Sequence, residues 1–475
     1  MKLLLLLSPV ASIAECRRLS HRASGVDLFP ANSSDNVNID THLILTFPTK
    51  PIIGSKGNIT VRDEEDDRII DTLDLSIPSS PSPYGNGSNK ANYTDKTTYQ
   101  TNIVGGVDFY FSPIIVTDNV ATIYLHNNRL RYNRTYSVTI DIGVLSVFDA
   151  SFGGIAPTFW TFTTKPQGPS PGTKSVTVSA SGTTDFSTLQ GALDWAPSNS
   201  PTLTTINILP GTYVELIYFQ YKSNLLIRGS SRNSTSIAYP NNSAFNPPNR
   251  QGVSRRPAFS FKGVSDIQLS DFSITNLYRG QAEALLIDGV RVVLSNMQLK
   301  GSGDALTTYG TAYISGSTLI GDGDTILGYG SVFWNRSTII TTAGPVSWTR
   351  TPQGVHGNVL VDCTVEGDGN STLARLPDNT GGVAANWPYA EMVLINTTLD
   401  GISEVGWGPV QGPPLFDARN VRFWEYGTVD ANGKAVDYAR RLNVSMHLTS
   451  PRDDEVVRQY RDPAFVLDGW VPVVL

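Results

Sequence analysis

Two cysteines, Cys16 and Cys363, in 475 residues give no disulfide framework, so a buried core must hold the fold. Cys363 ends the strand-like stretch 359–363, where a buried, inert thiol is expected. Histidine is also scarce. His21, His42, His126, His356 and His447 are scattered without metal-ligand spacing, so neither zinc nor thiol chemistry is supported and no cofactor is expected. Charged residues make up only 16% of the chain, with a net charge of −6 and a pI near 5.4. Phosphate binding needs a basic face, so nucleic acid is not an expected partner. Beyond the first residues no apolar run approaches the ~20 residues of a membrane span, and a membrane is not expected as a partner either. The one G-x-S-x-G match, Gly168 to Gly172, lies in a Pro/Gly stretch without the strand-to-helix setting of a serine hydrolase.

What the chain does have is turn residues and aromatics, with 42 Gly, 29 Pro, 8 Trp, 19 Tyr and 18 Phe. That mixture reads as a folded chain of many short strands. At this length it is either two domains or one elongated repeat plus a module. Residues 1–14 combine Lys2, the run Leu3 to Leu7 and small residues at Ser12 and Ala14, as a signal peptide does, with cleavage expected after Ala14. Asn-x-Ser/Thr sequons recur from Asn32 to Asn443, Asn241 among them, and fit a glycosylated secretory protein. An extracellular monomer is expected.

A polar arm over 15–36 leads into residues 37–164, where strand patterns such as Thr41 to Phe47, Tyr136 to Ile142 and Phe159 to Thr164 alternate between turns. They predict a small antiparallel sandwich, which resembles the bacterial Ig-like modules of extracellular enzymes. Residues 79–98 read as a surface loop, and the Pro/Gly-rich 165–173 as a stiff linker.

From residue 174 to 475 the pattern becomes a repeat. Leu294, Ile314 and Trp334 are 20 apart, as are Leu299, Leu319 and Ile339, and the same frame relates Gly310 to Gly330 and Asp304 to Asp324. A strand–turn–strand–turn unit of this length predicts one coil of a parallel β-helix, whose coils must stack to bury their apolar faces. Stacking would place Asp304 and Asp324 about 4.8 Å apart in the hydrogen-bonding direction. Such a pair titrates in two steps, with one carboxylate ionised and the other protonated to higher pH. That equips the pair as nucleophile and general acid. Turn initiation is the alternative reading of each aspartate singly.

The stretch Phe186 to Tyr213 resembles the first coil of the pectin methylesterase family. Gln281 to Leu285 is similar to its Q-A-V-A-L segment, Gly301 to Leu306 to G-Y-Q-D-T-L, and Gly321 to Gly328 to G-T-V-D-F-I-F-G. Leu373 to Pro377, Gly406-Trp407 and Trp424 to Gly427 follow in the family's order. The resemblance covers roughly 174–475 and implies a right-handed parallel β-helix that hydrolyses methyl esters of galacturonate in pectin. It implies Asp324 as nucleophile, Asp304 as acid and then base, Gln281 as oxyanion donor, and Arg375 as the partner that keeps Asp324 ionised and aimed. Trp407 and Trp387 would offer faces to sugar rings. Three positions depart from the pattern. Gly303 replaces a second oxyanion glutamine, Asp378 to Gly382 form an insertion after Pro377, and Asp322 adds a third carboxylate. A different ester substrate, or binding alone, is the competing reading; a polysaccharide hydrolase or lyase and a non-enzymatic adhesin are others. Inverting hydrolysis needs carboxyls roughly 6.5–9.5 Å apart, more than one coil provides.

Overall fold

The computed structural model describes residues 25–85, 98–148, 152–248, 252–376, 387–408 and 419–475. The signal segment 1–14, Cys16, the sequons at Asn86 and Asn92, most of the 79–98 loop and the insertion 378–382 lie outside the described residues.

From Ser175 onward, short strands pair only in parallel, each with its equivalent in the next coil. Their registers are the frame read from the sequence. Leu294 pairs with Ile314, Ile314 with Trp334, Trp334 with Leu360, and Leu360 with Leu394. On the second face Leu299, Leu319, Ile339, Val365 and Leu399 form a matching ladder. Both ladders point inward and are buried, so identical spacing becomes one continuous apolar column. A third ladder runs through Leu285 to Ile287, then Leu306–Thr308, Ile326–Gly328, Ser347–Trp348 and Ala374–Arg375. The helix Leu189–Trp195 adds Leu189, Ala192 and Leu193 to the core beside the first coil. Asp454–Tyr460 and Pro463–Val466 cover apolar residues on the outside of the first ladder, such as Val359 and Val393.

Coil length is constant only from Leu294 to Trp334; before it, Ile227 to Leu269 spans 269 − 227 = 42 residues and Leu269 to Leu294 spans 294 − 269 = 25. Ile314 to Trp334 spans 334 − 314 = 20 residues, Trp334 to Leu360 spans 360 − 334 = 26, and Leu360 to Leu394 spans 394 − 360 = 34. The lengthening after Trp334 falls largely in one place, the connection leaving the third ladder, which runs over 309–310, 329–330, 349–357 and 376–390 in successive coils.

The N-terminal module is a two-sheet sandwich, but it begins before residue 37. Asp27–Phe29 joins the four-stranded sheet, and Ser34–Val37 pairs in parallel with Ile155–Thr164, so much of the expected arm is fold and one pairing is not antiparallel. The sequence Ser-Asp-Asn-Val shows no apolar alternation because that strand buries only Val37. The two domains are in contact. Asp40 Oδ2 accepts from Ser187 N, Thr188 N and Thr188 Oγ1 at 3.0, 2.7 and 2.8 Å. Val104, Val107 and Phe109 of a module hairpin pack with Leu216, Tyr218 and Tyr239 of the coils. Buried Arg255 meets Asp108 at 3.1 Å across the same contact.

Candidate active site

Asp304 and Asp324 each stand two residues before a paired strand position, since Leu306 is in register with Ile326. Both have positive φ, 60° and 44°, a region that Asp tolerates in turns. Turn initiation and pairing therefore hold together, because the turn is what lifts each carboxylate onto the third face. Arg375 comes from the same ladder two coils beyond Asp324's strand. Its Nε and Nη2 donate to Asp324 Oδ1 and Oδ2 at 2.8 and 2.6 Å, a bidentate fork that fixes the carboxylate's plane.

Asp304 is buried, and burial is the largest cause of its raised pKa. Arg256 opposes that rise, and the charge of Asp324 adds to it. Desolvation rather than like-charge repulsion leads the rise at Asp304.

Asp322 is a turn cap. It accepts from Ser302 Oγ at 2.9 Å and from Gly303 N at 2.5 Å, so the Gly303 N–H is not available to an oxyanion. Gly303 has φ +48°, and a Cβ there would lie 2.7 Å from Gly280 O. A glutamine cannot be restored at that position without moving backbone. Gln281 sits on the coil before Asp304, with an exposed side chain, and its carbonyl accepts from Ser243 N.

Trp407 is not a sugar platform. It is 1% exposed, stacks on Phe423 at 4.8 Å and donates Nε1 to Glu425 Oε1 at 2.8 Å. Trp387 is half-buried and stacks on Tyr329 at 5.8 Å, and Tyr329 stacks on Tyr309 at 4.9 Å. Arg350 lies over Tyr329 and Trp348, and Arg375 covers Trp348 at 4.1 Å. A cleft of about 410 Å³ adjoins Tyr309 and Tyr329 and is also lined by Tyr218, Lys262 and Asp288. None of Tyr309, Tyr329, Trp348, Arg350 and Arg256 was singled out from the sequence. For the two tyrosines the signal was present, because they are 20 apart and directly precede Gly310 and Gly330.

The pectinesterase family model matches residues 175–468, more than half of the chain. The chain belongs to the pectinesterase family. It is a carboxylic ester hydrolase, and the aspartate pair with Arg375 lies within the matched pectinesterase region. Among solved structures, pectin methylesterase PemA from Erwinia chrysanthemi is 20% identical, with a TM-score of 0.52 over 64% of this chain and 100% of that one. The pectin methylesterase from carrot is 20% identical, with a TM-score of 0.53 over 65% and 99%. A pectin methylesterase in complex with a hexasaccharide is 21% identical, with a TM-score of 0.52 over 63% and 98%. At these identities the likeness is one of fold, and it confirms the parallel β-helix.

Proposed function

We propose that this pectinesterase is secreted and hydrolyses galacturonate methyl esters in pectin through an acyl-aspartate. The observation that carries the reading is the Asp324–Arg375 fork beside a buried Asp304 with a raised pKa. An oxygen of Asp324 attacks the ester carbonyl, and the C–O bond to methoxide breaks as Asp304 gives the leaving oxygen its proton. Water then attacks the acyl-aspartate, loses a proton to Asp304 and frees Asp324 and the galacturonate carboxylate. Gln281 serves the oxyanion as the remaining glutamine donor of the resembled pattern. The solved relative with a bound hexasaccharide supports an oligosaccharide ligand. The Tyr309–Tyr329–Trp387 stack, rather than Trp407, offers the rings against which a pyranose would lie.

The test is methanol release from highly methylated pectin by the purified full chain. Release is expected, and its absence on pectin of every degree of methylation would overturn the pectin substrate. Gly303 favours the second reading, a different ester, and parallel assays on acetylated polysaccharide would reveal it. For the platform, Tyr329→Ala is expected to raise KM about 2- to 10-fold with kcat nearly unchanged, since one aromatic stacking contact is worth about 0.5–1.5 kcal/mol. An unchanged KM would remove the stack from the binding surface.

A further inference from the structure

Position 283 reads Val in the Q-A-V-A-L pattern and is Glu here. Glu283 is fully buried on the coil preceding Asp304, and its Oε2 has no hydrogen-bond partner among the described residues. Oε1 takes Arg256 Nε at 2.6 Å and Thr307 Oγ1 at 3.3 Å. The same guanidinium reaches Asp304 Oδ2 through Nη2 at 3.1 Å. One cation thus serves two buried carboxylates, and nothing in the reaction as proposed uses Glu283.

We infer that Arg256 and Glu283 are positioning residues that set the charge state of Asp304, keeping it protonated before the reaction and steadying it once it has ionised. The inference rests on the acid role proposed for Asp304. With Arg256 alone beside it, Asp304 would be held as a carboxylate, the wrong state to protonate methoxide. A second buried carboxylate claims part of that cation and repels negative charge on Asp304. In a desolvated site the arrangement of two carboxyls, one guanidinium and one proton is neutral, whereas two ionised carboxylates leave an uncompensated charge. When Asp304 passes its proton to the departing methoxide, Arg256 is already within reach of the new carboxylate, so stabilisation grows as the charge develops.

The surrounding groups fit this balance. Burial pushes Glu283 up to about 7, with Arg256 opposing and Asp304 reinforcing the rise. Asp304 also faces Asp324, Arg350 and Arg375, and Tyr309 faces Glu283 and Arg256. Asp322 is tied to the neighbouring turn and meets exposed Arg279 at 3.6 Å.

The experiment compares the pH dependence of kcat for methanol release in the native chain, Glu283→Gln, and the double variant Arg256→Met/Glu283→Val. Asp304 acts as a protonated acid, so its upper pH limb marks the loss of that proton. Glu283→Gln leaves Arg256 to Asp304 alone, and the limb is expected to fall by about one pH unit or more. The double variant removes the cation as well and is expected to return the limb to the native position or above it. A limb unmoved in Glu283→Gln overturns the inference and leaves Glu283 a packing residue, even if stability drops. A readout independent of turnover separates this from failure of the esterase reading. In protein carrying 13C-labelled aspartate carboxyls, the Asp304 signal, assigned with Asp304→Asn, should titrate at lower pH in Glu283→Gln than in the native chain. An unshifted Asp304 titration overturns the inference, whereas shifted titration without methanol release overturns only the proposed function.

Discussion

Replacing Asp324 with alanine is expected to cut kcat/KM for methanol release by at least about 10³-fold, the scale seen when a covalent nucleophile is lost. The site offers no substitute. Asp304 is buried against Arg256, while Asp322 is bound to Ser302 and Gly303. Asp324→Asn keeps the shape but presents Arg375 with an amide, so it should be nearly as inactive, and both variants should fold normally. Asp304→Asn should cost about 10²–10⁴-fold, the contribution of a positioned general acid, with water as a poor stand-in. Steady-state methanol release with far-UV circular dichroism as the folding control decides the matter. Activity of Asp324→Ala within tenfold of native would refute the acyl-aspartate.

The second large effect is on stability. Trp407→Ala is expected to lower the unfolding free energy by on the order of 3–5 kcal/mol, the cost of emptying a large buried aromatic site. Trp407 lies flat on Phe423 and packs into the core that holds Leu373, Ala374 and Leu376. Its loss also removes the donor to Glu425, although Arg441 still holds that carboxylate at 2.9 Å. Denaturant unfolding measures the change, and KM of the folded fraction separates the two roles. A stable variant with a raised KM would return Trp407 to the sugar surface.

Asp324 and Trp407 show where reading the sequence succeeds and where it stops. The 20-residue frame was legible because each coil meets the next in exact register, so Asp304 and Asp324 could be paired before any coordinates. Arg375, 51 residues beyond Asp324, was reachable only through the order of resembled motifs, since the longer coils hide its position on the same ladder. Side-chain direction was not legible. Trp407 points into the core and Trp387 onto Tyr329, and nothing in either neighbourhood of sequence distinguishes them. Arg256 escaped notice because its partners, Glu283 and Asp304, lie on later coils and no local pattern marks a buried cation. The sandwich was legible where strands alternate and was missed at Ser34–Val37, where polar residues form the strand.

The uneven coils bear on how such a chain changes over generations. Within a ladder a one-residue slip would turn the inward side chains outward. In the later coils length drifts at one seam, the connection leaving the third ladder, which grows from two residues at 309–310 to fifteen at 376–390, whereas the long coil from Ile227 to Leu269 carries its extra residues, 240–258, ahead of that ladder. That seam begins where Tyr309, Tyr329 and Arg350 lie and reaches Trp387. Insertions and deletions there can resculpt what the enzyme recognises, while the carboxylates that would do the chemistry stay locked to the scaffold.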